Sequence, residues 1–274
     1  MSFKFLRSLS EVGCLRNILL FGLLLVASHH AQAQTYSLVV QPILTPRQTT
    51  QAFTPLTNYL SEATGVNIRL VTALNFVTYW ETMKKGDYDL VLDAAHFTDF
   101  RIKRLRYRVL VRIPDTVSLA LVTAGDLLIF EPAELIGRRL GTLGSPSMPA
   151  VRANQLFPNP SRLPVFVDFA NASDTVRALL DGEIAGAIIP SPLVQNYPEL
   201  NTVLTTDPIP HIALSASPQV PVALANRIRE ALVNIDRTPA GRRTMEALRL
   251  APFVPATSRS YDGYAQLLDG VWGY

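Results

Sequence analysis

Between Tyr36 and Leu92 the chain alternates short apolar runs with amphipathic stretches, and each amphipathic stretch ends at a glycine. Tyr36–Val40, Val66–Thr72 and Tyr88–Leu92 read as strands. Pro46–Thr64 reads as a helix, with Phe53, Leu56 and Leu60 at helical spacing and Gly65 as its stop. Asn75–Lys85 reads as a second helix, stopped by Gly86. The run at Tyr88–Leu92 is nearly all apolar, as a strand buried on both faces must be. Strand, helix, strand, helix, strand in this order argues for a parallel sheet covered by helices.

The pattern then repeats in plan. Tyr107–Ile113 and Val117–Thr123 read as strands, the second long enough to run between lobes. A short helix at Pro132–Leu135 and a strand at Arg139–Leu143 follow. Pro149–Leu156 reads as a helix, Val165–Phe169 as a strand, Ser173–Asp181 as a helix and Ile184–Ile189 as a strand. His211–Ser215 is extended, after the turn-rich Asp207-Pro208-Ile209-Pro210. Val222–Ile235 and Ala240–Leu248 read as C-terminal helices. A length of 274 residues, 48% of them hydrophobic and 17% charged, supports real cores in both units and excludes a disordered chain. The expected fold class is α/β with two lobes, each a mainly parallel sheet flanked by helices, and a ligand cleft between them. Lobe one comprises 34–121 and 213–274, and lobe two 122–212.

The first 33 residues read as an address. Lys4, Arg7 and Arg16 precede an apolar run from Ile18 to Ala27, and Ala31-Gln32-Ala33 forms an A-x-A site. Such a run spans ~15 Å as helix, about half a bilayer core, so a cleaved signal peptide fits better than a membrane span. The one cysteine, Cys14, would leave with it, so no disulfide or Cys-based metal site is expected in the mature protein. The expected destination is outside the cytoplasm.

Ligands of such sheets sit at the carboxyl ends of strands, facing helix N-termini. The candidate loops are therefore Gln41–Pro46, Ala73–Phe76, Asp93–Phe97, Gly144–Pro149, Ala170–Ser173 and Pro190-Ser191.

Several segments resemble, in order, one family. Arg47–Leu60 is similar to its first helix, and Lys85-Gly86-Asp87-Tyr88-Asp89-Leu90 to the entry of its third strand. Glu131–Thr142 is similar to the start of its second lobe, Ala170–Ala185 to a following loop and helix, and Asp207-Pro208-Ile209-Pro210 to its return crossover. The chain thus resembles the phosphate, phosphite and phosphonate substrate-binding proteins of ABC transporters, which have a type II periplasmic binding fold. The resemblance implies a location in the periplasm and delivery of a bound solute to an inner-membrane ABC permease. Where the family's phosphonate binders carry Ser-Thr-Ser-Gly at a helix start, this chain has Gly144-Ser145-Pro146-Ser147-Met148-Pro149. The family's helix-start His appears as Asn171, and Asn75-Phe76 takes the place of a pair that approaches ligand.

Each candidate has two readings. Ser145 and Ser147 hold an oxyanion with nearby amides, or merely cap the helix beginning near Pro149, and Met148 beside them is a further candidate for ligand contact. Asn171 and Ser173 divide in the same way between ligand contact and capping. Asp93 and His96 read a ligand amine or bind a metal, or Asp93 caps the next helix while His96 bonds the backbone. Phe76 is pocket wall or core, and Ser191 sits at a further strand end. The basic stretch Arg101, Lys103, Arg104, Arg106 and Arg108 reads as a solvated helix and loop, with docking to an acidic partner as the alternative.

Enzyme chemistry finds little support. G-x-S-x-G, H-E-x-x-H, P-loop and G-x-G-x-x-G motifs are missing, and only His96 and His211 fall after the expected cleavage site. No enzyme activity, cofactor or metal is expected, and no nucleic-acid partner, because no dense basic stripe is present. The expected function is capture of a small oxyanion or organic acid for an ABC importer by a monomer. The alternative is a sensory module presenting its ligand to a membrane histidine kinase or chemoreceptor.

Overall fold

The computed structural model describes residues 34–271; the expected signal peptide, with Cys14, lies outside them. Strand β1 (Thr35–Val40) lies between β2 (Asn67–Thr72) and β3 (Leu90–Asp93), parallel to both. Its neighbouring residues Leu38 and Val39 point to opposite faces and enter two separate cores. Leu38 packs with Leu56 and Leu60 of α1 (Pro46–Thr64). Val39 packs with Tyr79 of α2 (Phe76–Lys85) and Phe97 of α3 (Ala95–Leu105). Full burial of each such side chain stabilises the fold by about 1.5–3 kcal/mol.

The helix limits follow from local chemistry. Thr45 Oγ1 accepts the Gln48 N–H at 3.2 Å, and Gln48 Oε1 accepts the Thr45 N–H at 3.0 Å. This capping box, with Pro46 in the first turn, starts α1. The helix continues through Pro55 and ends at Gly65 with φ +70°, a left-handed conformation that glycine adopts without steric cost.

After β4 (Arg108–Arg112) the chain crosses to a second sheet. The expected strand Val117–Thr123 is two strands. β5 (Thr116–Val117) belongs to the crossing, whereas β6 (Leu119–Ala124) lies wholly in the second sheet, where Leu119 pairs with Pro190. Residues 119–121 therefore take their strand hydrogen bonds from the second sheet. Val117–Thr123 reads as one strand because sequence does not show where a buried strand changes sheets.

The second unit contains β7 (Arg139–Thr142), α4 (Met148–Leu156), β8 (Val165–Asp168), α5 (Ala172–Leu180), β9 (Gly186–Pro190), α6 (Ser191–Val194) and β10 (Leu200–Thr205). Its strand order is β10-β6-β9-β7-β8. Leu121 and Val122 of β6 enter opposite cores, so this sheet is also covered on both faces.

The return passes through β11 (Ile209–Pro210), which pairs antiparallel with β5, and reaches β12 (Ala213–Ala216). Helices α7 (Val222–Val233) and α8 (Pro239–Leu248) and strand β13 (Val254–Pro255) follow. The first sheet has the order β13-β4-β12-β3-β1-β2. Each sheet is mixed. The strand–helix–strand units pair in parallel, while β12 pairs antiparallel with β3 and β4, β13 with β4, and β6 with β9 and β10. Two lobes thus share two adjacent crossing strands. No helix among the described residues is long and apolar enough to cross a membrane.

Candidate functional site

The carboxyl ends of β1 and β3 face the loops after β7 and β8. Among the described residues, three residue pairs make hydrogen bonds across the lobes here. The Ala172 N–H, at the start of α5, donates to Ile43 O in the loop after β1 at 2.9 Å. Gln48 and Ser173 meet side chain to side chain at 3.3 Å. His96, in the first turn of α3, lies with Nε2 3.0 Å from Pro146 O. A carbonyl only accepts, so His96 holds its proton on Nε2 in this contact. Burial, with a smaller contribution from the Arg101 charge, lowers the His96 pKa to about 3, although the bond to Pro146 opposes that shift. Nδ1 is buried without a hydrogen-bond partner. The ring is therefore neutral at pH 7.

Two of the helix starts that face the cleft, those of α4 and α5, are capped by their own side chains, whereas α3 has no side-chain cap. Ser147 is fully buried; its Oγ accepts the Ala150 N–H at 3.2 Å, and Pro149 has no N–H to offer. Asn171 Oδ1 accepts the Asp174 N–H at 3.0 Å, and its Nδ2 donates to Asp174 Oδ2 at 2.7 Å. The Asp174 carboxylate in the first turn of α5 also opposes a second negative charge there. Ser145 is exposed. The Ser191 N–H donates to Ser118 O at 3.0 Å, while its Oγ is buried without a partner.

Asp93 and Phe76 lie behind the cleft surface. Asp93, at the end of β3, is fully buried in a two-point ion pair with Arg101 of α3 and accepts a hydrogen bond from Tyr79 OH. Burial and then the Asp93 charge push the Tyr79 phenol well up, so it remains a donor. Phe76 stacks on Phe97, with ring centroids 6.1 Å apart, inside the aromatic core of the first lobe. Arg101 does not follow the reading of its basic stretch as a solvated face: its side chain has no exposure. The available signal was its spacing. Arg101 falls four residues after Phe97, hence on the buried face of α3.

Beside these cross-lobe bonds lies a cavity of about 240 Å³. The first lobe contributes Val40, Gln41, Ile43, Thr49 and Phe53; the second contributes Leu119, Met148, Pro149, Pro190 and Leu193. Val117 and the segment 209–212 wall it on the crossing side. Met148 is the residue among the named candidates that reaches this wall. Gln41 and Ile43 belong to a loop recognised from its place after a strand, whereas Thr49 and Phe53, on the first helix, do not.

Among the described residues there is no group of three or more His, Cys, Asp or Glu arranged to hold a metal ion.

A family model described as "ABC transporter, phosphonate, periplasmic substrate-binding protein" matches residues 38–261. Sequence comparison with curated proteins gives no match. Among solved structures, a Prochlorococcus marinus protein in complex with methylphosphonate is similar with a TM-score of 0.75 at 12% identity, covering 86% of this chain and 98% of that one. The binding protein component of an ABC phosphonate transporter from Pseudomonas aeruginosa gives a TM-score of 0.75 at 11% identity, covering 86% and 85%. A Xanthomonas citri protein bound to ATP gives 0.67 at 13% identity, covering 86% and 99%.

Proposed function

The chain belongs to the periplasmic substrate-binding proteins of phosphonate ABC transporters, and on that premise we propose that it captures its solute between the lobes by closing about the paired crossing strands β5 and β11. Members of this family are binding proteins, not enzymes; they bind a small molecule and deliver it to an ABC permease. The lobes, read from the sequence as 34–121 with 213–274 and 122–212, are proposed to part as the two sheets do, with 119–121 moving in the second. The chain is proposed to enter the periplasm through cleavage near Ala33 and to act as a monomer.

The observation that carries this reading is the cavity walled jointly by both lobes and both crossing strands, next to hydrogen bonds that hold the lobes together. His96, Ser173 and the Pro146 loop are proposed as latches at the mouth, and Met148 as part of the ligand wall. Ser147 and Asn171 are proposed to act as helix caps that shape the loops, with Asp93 and Phe76 as the support beneath them.

Closure is tested by small-angle scattering of the mature chain with and without a periplasmic small-molecule extract. Ligand capture should lower the radius of gyration and raise the thermal midpoint together. A midpoint that rises without contraction would count against hinge closure, and no response of either kind would count against solute capture.

A further inference from the structure

The sequence readings centred on an oxyanion, but the cavity has a different chemistry. No Lys, Arg, Asp or Glu is found among the described residues that line it. Its walls are aliphatic and proline side chains with one phenylalanine, and its polar side chains are Gln41, Thr49 and His211. Gln41 Oε1 already accepts the Ala94 N–H at 3.2 Å. His211 Nδ1 accepts the Ile212 N–H at 2.8 Å, so the neutral ring carries its proton on Nε2 and offers one donor. The nearby cation, Arg101, is neutralised by Asp93, and the Ala150, Asp174 and Ala172 amides at the starts of α4 and α5 are bonded within the protein.

An anion entering this space would lose its hydration and meet no cationic side chain. Burying an uncompensated charge costs several kcal/mol, whereas apolar area gains about 25 cal/mol for each Å² removed from water. An apolar cavity of about 150 Å³ holds a benzene ring; this one, at about 240 Å³, has room for a two-ring or comparably sized aliphatic body.

We infer that the solute of this protein is an uncharged, largely apolar small molecule carrying one or two hydrogen-bonding groups, bound in the cavity beside the crossing strands. This rests on the reading of the interlobe cleft as the solute site and departs from the anions that the family relatives are solved with.

Two probes that share a ring system and differ in charge test it by calorimetry: 2-naphthol, neutral at pH 7, and 2-naphthalenesulfonate. Methylphosphonate and inorganic phosphate serve as anion probes without the ring. The expected result is one 2-naphthol per chain, bound at least tenfold tighter than the sulfonate, with no heat from either phosphorus anion. Ala52 lines the cavity from α1, so A52L should weaken 2-naphthol at least tenfold; L193F fills the space from the other lobe if A52L does not fold. Binding of methylphosphonate or phosphate, or equal affinity for the two naphthalenes, would overturn the inference and leave solute capture standing. Binding of 2-naphthol that both folded variants leave unchanged would overturn the assigned place. If no probe binds, the inference falls, and the scattering response to extract shows whether solute capture falls with it.

Discussion

The Arg101 guanidinium grips the Asp93 carboxylate at two points where neither side chain has any exposure, with Nη2 2.6 Å from Oδ1. Thr98 Oγ1 adds a hydrogen bond to Oδ1 at 3.2 Å. The pair ties the end of β3 to α3, the helix whose first turn sends His96 across to the other lobe. Asp93→Ala would leave a buried guanidinium without its counter-charge, and a loss of about 3–5 kcal/mol is expected. The double variant D93A/R101M should recover much of it. Urea denaturation of the three proteins checks this; a loss under 1 kcal/mol for D93A would mean that the pair is hydrated.

His96 makes stability depend on acid. The folded ring stays neutral to about pH 3, while the unfolded ring takes a proton below about pH 6.5. A depressed pKa contributes stability that is fully present above 6.5 and is lost as pH falls from there towards 3. H96Q retains a donor for Pro146 without titrating. The thermal midpoint of the wild type should therefore fall relative to H96Q between pH 6.5 and 3 and run parallel to it above pH 7. Parallel profiles throughout would show that the ring is protonated in the folded protein.

Ser147 and Asn171 work as caps, so their removal should affect folding first. S147A and N171A are each expected to cost about 1 kcal/mol, the usual value of a lost N-cap. Chemical denaturation measures the loss, and titration with the best ligand measures affinity. A variant of unchanged stability whose affinity drops a hundredfold would instead make that side chain a direct ligand contact.

Two glycines separate close contact from backbone conformation. A Cβ on Gly241 would fall 1.7 Å from Ile235 O, so G241A must shift the backbone where α8 begins. Overpacking of this kind costs typically 1–3 kcal/mol, and G241A is expected at the top of that range. Gly263 has φ +91° with nothing within 4 Å of an added Cβ; G263A should cost about 1 kcal/mol from conformation alone. Differential scanning calorimetry should rank G241A as the less stable, and the reverse order would contradict this packing.

Much of the fold was legible because its signals are local. Gly65 and Gly86 mark helix ends, and the apolar run Tyr88–Leu92 reads as a strand buried on both faces. Signals of this kind along the chain outline the two α/β units and the loops at their strand ends, and the ordered motifs from Arg47 to Pro210 carry the likeness to a binding-protein family. What the loops hold was decided in three dimensions. Arg101 sits among basic neighbours in sequence, yet pairing with Asp93 lets it be buried; the cost of an unpaired charge depends on which element packs opposite. The cavity draws its walls from segments as distant as Val40 and Leu250. Its apolar character is a property of that assembly, because charge and burial are set by the sum of neighbours from both lobes, and no short stretch of chain carries that sum.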